Sequence, residues 1–176
     1  MDPGLQDLQG EAERVNPAAL LALLVEFQRE KAALYRRHVA VARVAGQYDI
    51  NNTYQYVIAR EEQHLDWVRQ AILDMGGAEP EAGPFAEPDK PRDEAGLRAL
   101  VGADADQLEA IVARWRSRLP AMTNARHRKM LELTLGEMLE QARFFRQAAA
   151  GRLDLLGRRT GGPRTQGGVL PSRSVG

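Results

Sequence analysis

The segment IAREEQHLDWV, residues 58–68, decides how this chain is read. It holds no glycine, no proline and no strict alternation of apolar and polar positions, so it reads as helix. On a helical wheel Val57, Ile58, Leu65 and Val68 gather on one side. Glu61 and His64 fall among them, three residues apart, while Glu62 falls with Gln55, Asp66 and Arg69. Glu61 and His64 are therefore expected to point inward and Glu62 outward. A carboxylate buried without a partner is costly. Two arrangements would satisfy it. One is a metal ion held jointly by the carboxylate and the ring nitrogen, for which imidazole with carboxylates suits iron, manganese or zinc. The other is a salt bridge to Glu61 with a separate hydrogen bond to His64.

Working outward, this segment lies in a helix that can be capped at Asp49 or Asn51 and that stops at Gly76–Gly77. A helix precedes it. Asn16 followed by Pro17 is a start signal, Gly46 is a stop, and Leu20, Leu23, Leu24, Phe27, Leu34 and Val41 make one apolar stripe between them. The short link at Gly46 forces the two helices antiparallel. The stretch GGAEPEAGPFAEPDKPRDEAG, rich in proline, glycine and acid, is then irregular and long enough to cross the length of a bundle. A short helical turn is expected at 97–101. A third helix is expected from Asp104 or Asp106 to near Pro120, and a fourth from Thr123 or Asn124 to about Gly151. No stretch has the alternation of a strand. The expected fold is all-α: a four-helix bundle of two antiparallel hairpins joined by a long connection. Residues 1–16 read as a flexible leader, 17–157 as the bundle, and 158–176 as a disordered tail of glycine, proline and arginine.

Composition limits the function. Formal net charge is zero, which points away from nucleic acid, although the four arginines of 158–176 stand against an acidic remainder. Cysteine is absent, which excludes disulfides, thiolate metal sites and iron–sulfur ligation. No apolar run is long enough for a membrane helix and no signal-peptide pattern is seen, so a cytoplasmic protein is expected.

A metal site in the bundle would need a facing carboxylate from the first helix. Glu30 lies beside Phe27 and Leu34, and Glu26 is the second candidate. In the second hairpin Glu109 is the glutamate in the middle of the third helix. Glu137 and Glu140 lie three apart on the fourth, beside Leu133 and Phe144, either as ligands or as a solvated edge paired with Arg143 or Lys129. His127 reads as surface, and His38, in YRRH, as a solvated edge.

A helix-1 glutamate followed by Glu61-x-x-His64 resembles the ferritin-like superfamily, which includes ferritins, bacterioferritins and rubrerythrins. The REEQHLDWV segment is especially similar to the second helix of rubrerythrin-type members. The resemblance covers residues 20–76 by motif and 104–150 by architecture. It implies a ferritin-like bundle, a homodimer or larger homo-oligomer, and a non-haem iron site of one iron or a di-iron pair. The site would hold Glu30, Glu61, His64, Glu137 and Glu140 and have ferroxidase or peroxide-consuming activity. The departures are specific. Glu140 stands where the family's second histidine would be. The haem-ligating methionine of bacterioferritins is missing from the Glu61-to-His64 motif, so no haem is expected. Encapsulated ferritins complete a single hairpin's ligands from a second chain, which would here pair Glu30, Glu61 and His64 across a dimer. The alternatives are a metal-free helical scaffold or stress protein with a decayed site, or a cargo protein like the encapsulated ferritins.

Overall fold

In the computed structural model, residues 16–152 are described. The expected leader (all but Asn16), the expected tail, and 153–157 at the end of the expected bundle lie outside them. Four long helices account for most of the described chain, and no strand occurs among these residues: α1 Pro17–Val44, α2 Tyr48–Asp74, α3 Glu94–Arg118 and α4 Ala125–Ala149. No helix of the described residues is long and apolar enough to cross a membrane.

Local chemistry sets the boundaries. The Asn16 side chain accepts the Ala18 N–H at 3.1 Å, and Pro17 opens α1. Gly46 turns the chain with φ +64°, a conformation that glycine adopts without strain. At α2 the expected cap differs. Gln47 stands at the cap position without a side-chain bond, and Asn51 instead donates to the Ala42 carbonyl at 2.8 Å, tying the start of α2 to the end of α1. Helix α3 starts ten residues earlier than expected. Asp93 accepts the Gly96 N–H at 2.7 Å, so 97–101 is part of α3 and Leu97 and Val101 are core residues. Gly96 and Gly102 interrupt the periodic pattern in the sequence, but the Asp93 cap and the burial of Leu97 and Val101 offset their poor helix propensity. A single 3-10 turn at Leu119–Ala121 leads to α4, which Asn124 caps through the His127 N–H.

Helix α1 packs along α2, and α3 along α4, as two hairpins, with α2 also against α4. Aromatic pairs lock one hairpin to the other. The Phe27 ring on α1 meets Trp115 on α3 edge to face at 4.9 Å, and Tyr54 on α2 stacks on Phe145 of α4 at 4.5 Å. All four are fully buried, each worth roughly 1.5–3 kcal/mol from burial, with a smaller increment from ring geometry.

Candidate functional site

The inner stripe of α1 runs Phe27, Lys31, Leu34, His38, Val41, a spacing that keeps all five on one face. Two of those positions are titratable, and both are fully buried. They meet Glu61 from α2. Lys31 Nζ donates to Glu61 Oε1, and His38 Nδ1 lies 2.8 Å from Glu61 Oε2. An ionised carboxylate has no proton to give, so His38 Nδ1 is the donor. Both Glu61 oxygens are thereby occupied. Burial alone would raise the Glu61 carboxyl. The charges of His38 and Lys31, with their hydrogen bonds, more than offset this and hold it at about 2. Burial in turn weakens the hold of Lys31 on its proton, and Glu61 restores part of it.

One turn along α2, His64 is also fully buried. Its Nε2 donates to Glu137 Oε2 of α4 at 2.9 Å. Burial and the nearby Lys31 charge push the His64 ring below its ordinary 6.5, against the opposing pull of Glu137. The imidazole is neutral at physiological pH, with Nδ1 unprotonated and without a partner among the described residues. Glu137 sits at the rim. Arg60, on the His64 helix, clamps both its oxygens at 2.6 and 2.9 Å. Partial burial would raise Glu137, but Arg60 and His64 together lower it. The layer thus pairs two carboxylates, Glu61 and Glu137, with two cations, Lys31 and Arg60. The imidazoles fill the remaining hydrogen-bonding positions.

The sequence-derived candidates fall as follows. Glu61 and His64 are both inside, and Glu62 is exposed, accepting from Tyr35 Oη at 2.9 Å. Glu137 joins His64. Glu30 does not join them. It is one residue from Lys31, hence about 100° around the helix, and faces α3, where Trp115 Nε1 donates to it at 2.6 Å and Arg114 pairs with it. Glu26 pairs with Arg118 at 2.7 Å. Glu140 is exposed and, among the described residues, pairs with Arg143 at 3.0 Å, and Glu109 binds Arg146. Two histidines differ from expectation. His38 is central rather than a solvated edge, and His127 is buried at the start of α4. The sequence did carry a signal for Lys31 and His38. The apolar stripe Phe27, Leu34, Val41 has gaps at 31 and 38, and those are the residues that fill them.

A second buried carboxylate lies beside this layer. Asp104 of α3 is fully buried. It accepts from Tyr54 Oη of α2 at 2.5 Å and from Arg37 Nε of α1 at 2.5 Å. Burial first, and then the Asp104 charge, raise the Tyr54 hydroxyl well above its ordinary value, so it stays a donor.

As donors for a divalent ion these groups fit poorly. An ammonium rests on the carboxylate that would be the central ligand, and Glu30 and Glu140 face away. Among the described residues no three of His, Asp or Glu are grouped so as to hold an ion. Comparison of the chain with family models, with curated proteins and with solved structures found no match.

Proposed function

We propose that this chain is a ferritin-like helical bundle that works without a metal, a scaffold or stress protein in which Lys31 supplies the positive charge an ion would otherwise bring to Glu61. The observation that supports this reading is the Lys31–Glu61 pair itself, fully buried and completed by His38. With Lys31 and Arg60 already balancing Glu61 and Glu137, a bound dication would leave uncompensated positive charge in a low-dielectric layer, which is strongly unfavourable. The competing reading is a non-haem iron, manganese or zinc protein with ferroxidase or peroxide-consuming activity. It requires Lys31 to give up its proton and leave Glu61.

The test is metal stoichiometry. Untagged protein is dialysed anaerobically against Fe(II), Mn(II) or Zn(II), and bound metal is measured. The expected result is far less than one ion per chain, with an unchanged melting temperature in chelator. Lys31→Glu, which adds a carboxylate beside Glu61 and His64, is expected to gain uptake. Stoichiometric uptake by the unmutated protein, lost in His64→Ala, would overturn the proposal and establish the metal reading.

A further inference from the structure

A cavity open to solvent, of about 820 Å3, lies away from the charged layer, between α1 and α3. That falls within the roughly 300–1,000 Å3 of small-molecule sites. Its existence has a structural cause. Long polar pairs hold α1 and α3 apart at two levels. At one level Arg37 reaches Asp104. At the other Glu30 meets Arg114 and Trp115. Between these struts α1 presents the small Ala33 and α3 presents Gln107 and Ile111, and beyond Glu30 the α1 wall continues with the short side chains of Ala22 and Val25, so the space between the helices is not filled.

The connection between α2 and α3 forms a further wall at Gly83–Ala86. It is seated on α1 by the Gly83 N–H, which donates to the Arg29 carbonyl at 2.9 Å. A Cβ at position 83 would meet that carbonyl oxygen at 3.1 Å, so glycine is what lets the segment sit so close. The Arg36 guanidinium lies over the Phe85 ring, 4.6 Å from its centre, and holds the aromatic in place.

The charges around this cavity are unequal in status. Glu26, Glu30, Arg37 and Arg114 each have an ion-pair partner. Arg29 has none among the described residues and lines the same space. The cavity therefore offers an apolar body, made by Val25, Ala33, Leu34, Phe85 and Ile111, and one uncommitted guanidinium. We infer that this cavity binds an amphipathic small molecule with a single anionic head, an aliphatic carboxylate. Its chain lies against the apolar wall and its carboxylate on Arg29. This inference does not depend on whether the charged layer holds a metal.

The experiment uses the full chain with decanoate, and with decanol as the uncharged molecule of equal chain length, both titrated calorimetrically. Decanoate is expected to bind one per chain with a Kd on the order of 10–100 µM. Arg29→Ala should weaken decanoate about tenfold, the worth of one charge-assisted hydrogen bond, and leave decanol unchanged. Ile111→Trp should abolish both by filling the cavity. Because Ile111 is a core residue, Ala22→Trp at an exposed lining position serves as a second block in a protein whose folding it does not threaten. No saturable decanoate binding would overturn the inference. So would equal affinity for decanoate and decanol, or binding that survives both tryptophan variants.

Discussion

The two hairpins are built alike and filled differently. Their helices run to 28 and 27 residues in the first and 25 and 25 in the second. The first hairpin places Lys31, His38, Glu61 and His64 in its interior. The second buries one carboxylate, Asp104, and one histidine, His127, and leaves Glu137 half exposed at the rim. In the first hairpin the buried charge is compensated within the hairpin, α1 answering α2. In the second it is compensated from outside, because Asp104 is satisfied by Tyr54 and Arg37 of the first pair. Burying a charge is tolerated wherever its partner is fixed by the same packing, and here two solutions to that requirement lie side by side.

The strongest way to break the comparison is to remove Lys31. Lys31→Ala leaves Glu61 with His38 alone, and urea unfolding should show a loss of about 3–5 kcal/mol. The double variant Lys31→Met, Glu61→Leu should recover most of it, since no charge remains to compensate. A single-variant loss under about 1 kcal/mol would show that the pair is not the organising feature of the layer.

Acid sharpens the same contrast. Glu61 is held at about 2 against an ordinary 4.5, so its contribution is present above 4.5 and is lost as pH falls from there toward 2. The size is on the order of 3 kcal/mol. His64 and His127 are depressed below 6.5 mainly by burial, so the unfolded chain takes up their protons first and stability starts to fall below 6.5. Stability measured from pH 8 to 2 should therefore decline in two stages. Glu61→Gln should flatten the lower stage, while Glu137→Gln should leave most of it in place.

In the second hairpin, Asp104→Ala should cost about 1–3 kcal/mol, because it strands the buried Tyr54 hydroxyl. Tyr54→Phe should cost less, since Arg37 still satisfies the carboxylate. At the other extreme, Glu140→Ala removes only a surface bond to Arg143 and should change stability by less than about 0.5 kcal/mol. A Glu140 variant as damaging as Lys31→Ala would place the centre of the layer on α4 instead.

The helical architecture was legible because the apolar stripes and the signals at Asn16, Gly46, Gly76 and Asn124 are local. The inward placement of Glu61 and His64 was legible from their neighbours on the wheel. What the charged groups bind was not legible, because a carboxylate on an apolar face does not reveal the sign or identity of its partner. Lys31 stands next to Glu30 in the sequence, and the wheel assigns them to different neighbours only once the position of α2 is known. Asp104 was read as the start of α3 because aspartate is a good cap. The real cap is Asp93, and Asp104 turns inward because Tyr54 and Arg37 wait for it there.

That carboxylate has a consequence for how the molecule comes apart. Asp104 gathers α1, α2 and α3 at one point, and Tyr54, which it fixes, stacks on Phe145 of α4. One hairpin cannot peel from the other without exposing the Tyr54 ring and undoing both bonds to Asp104 together. The hairpins should then open as one cooperative unit. Amide protons in the middles of all four helices should exchange with solvent through a common global event, and only the helix ends should exchange independently.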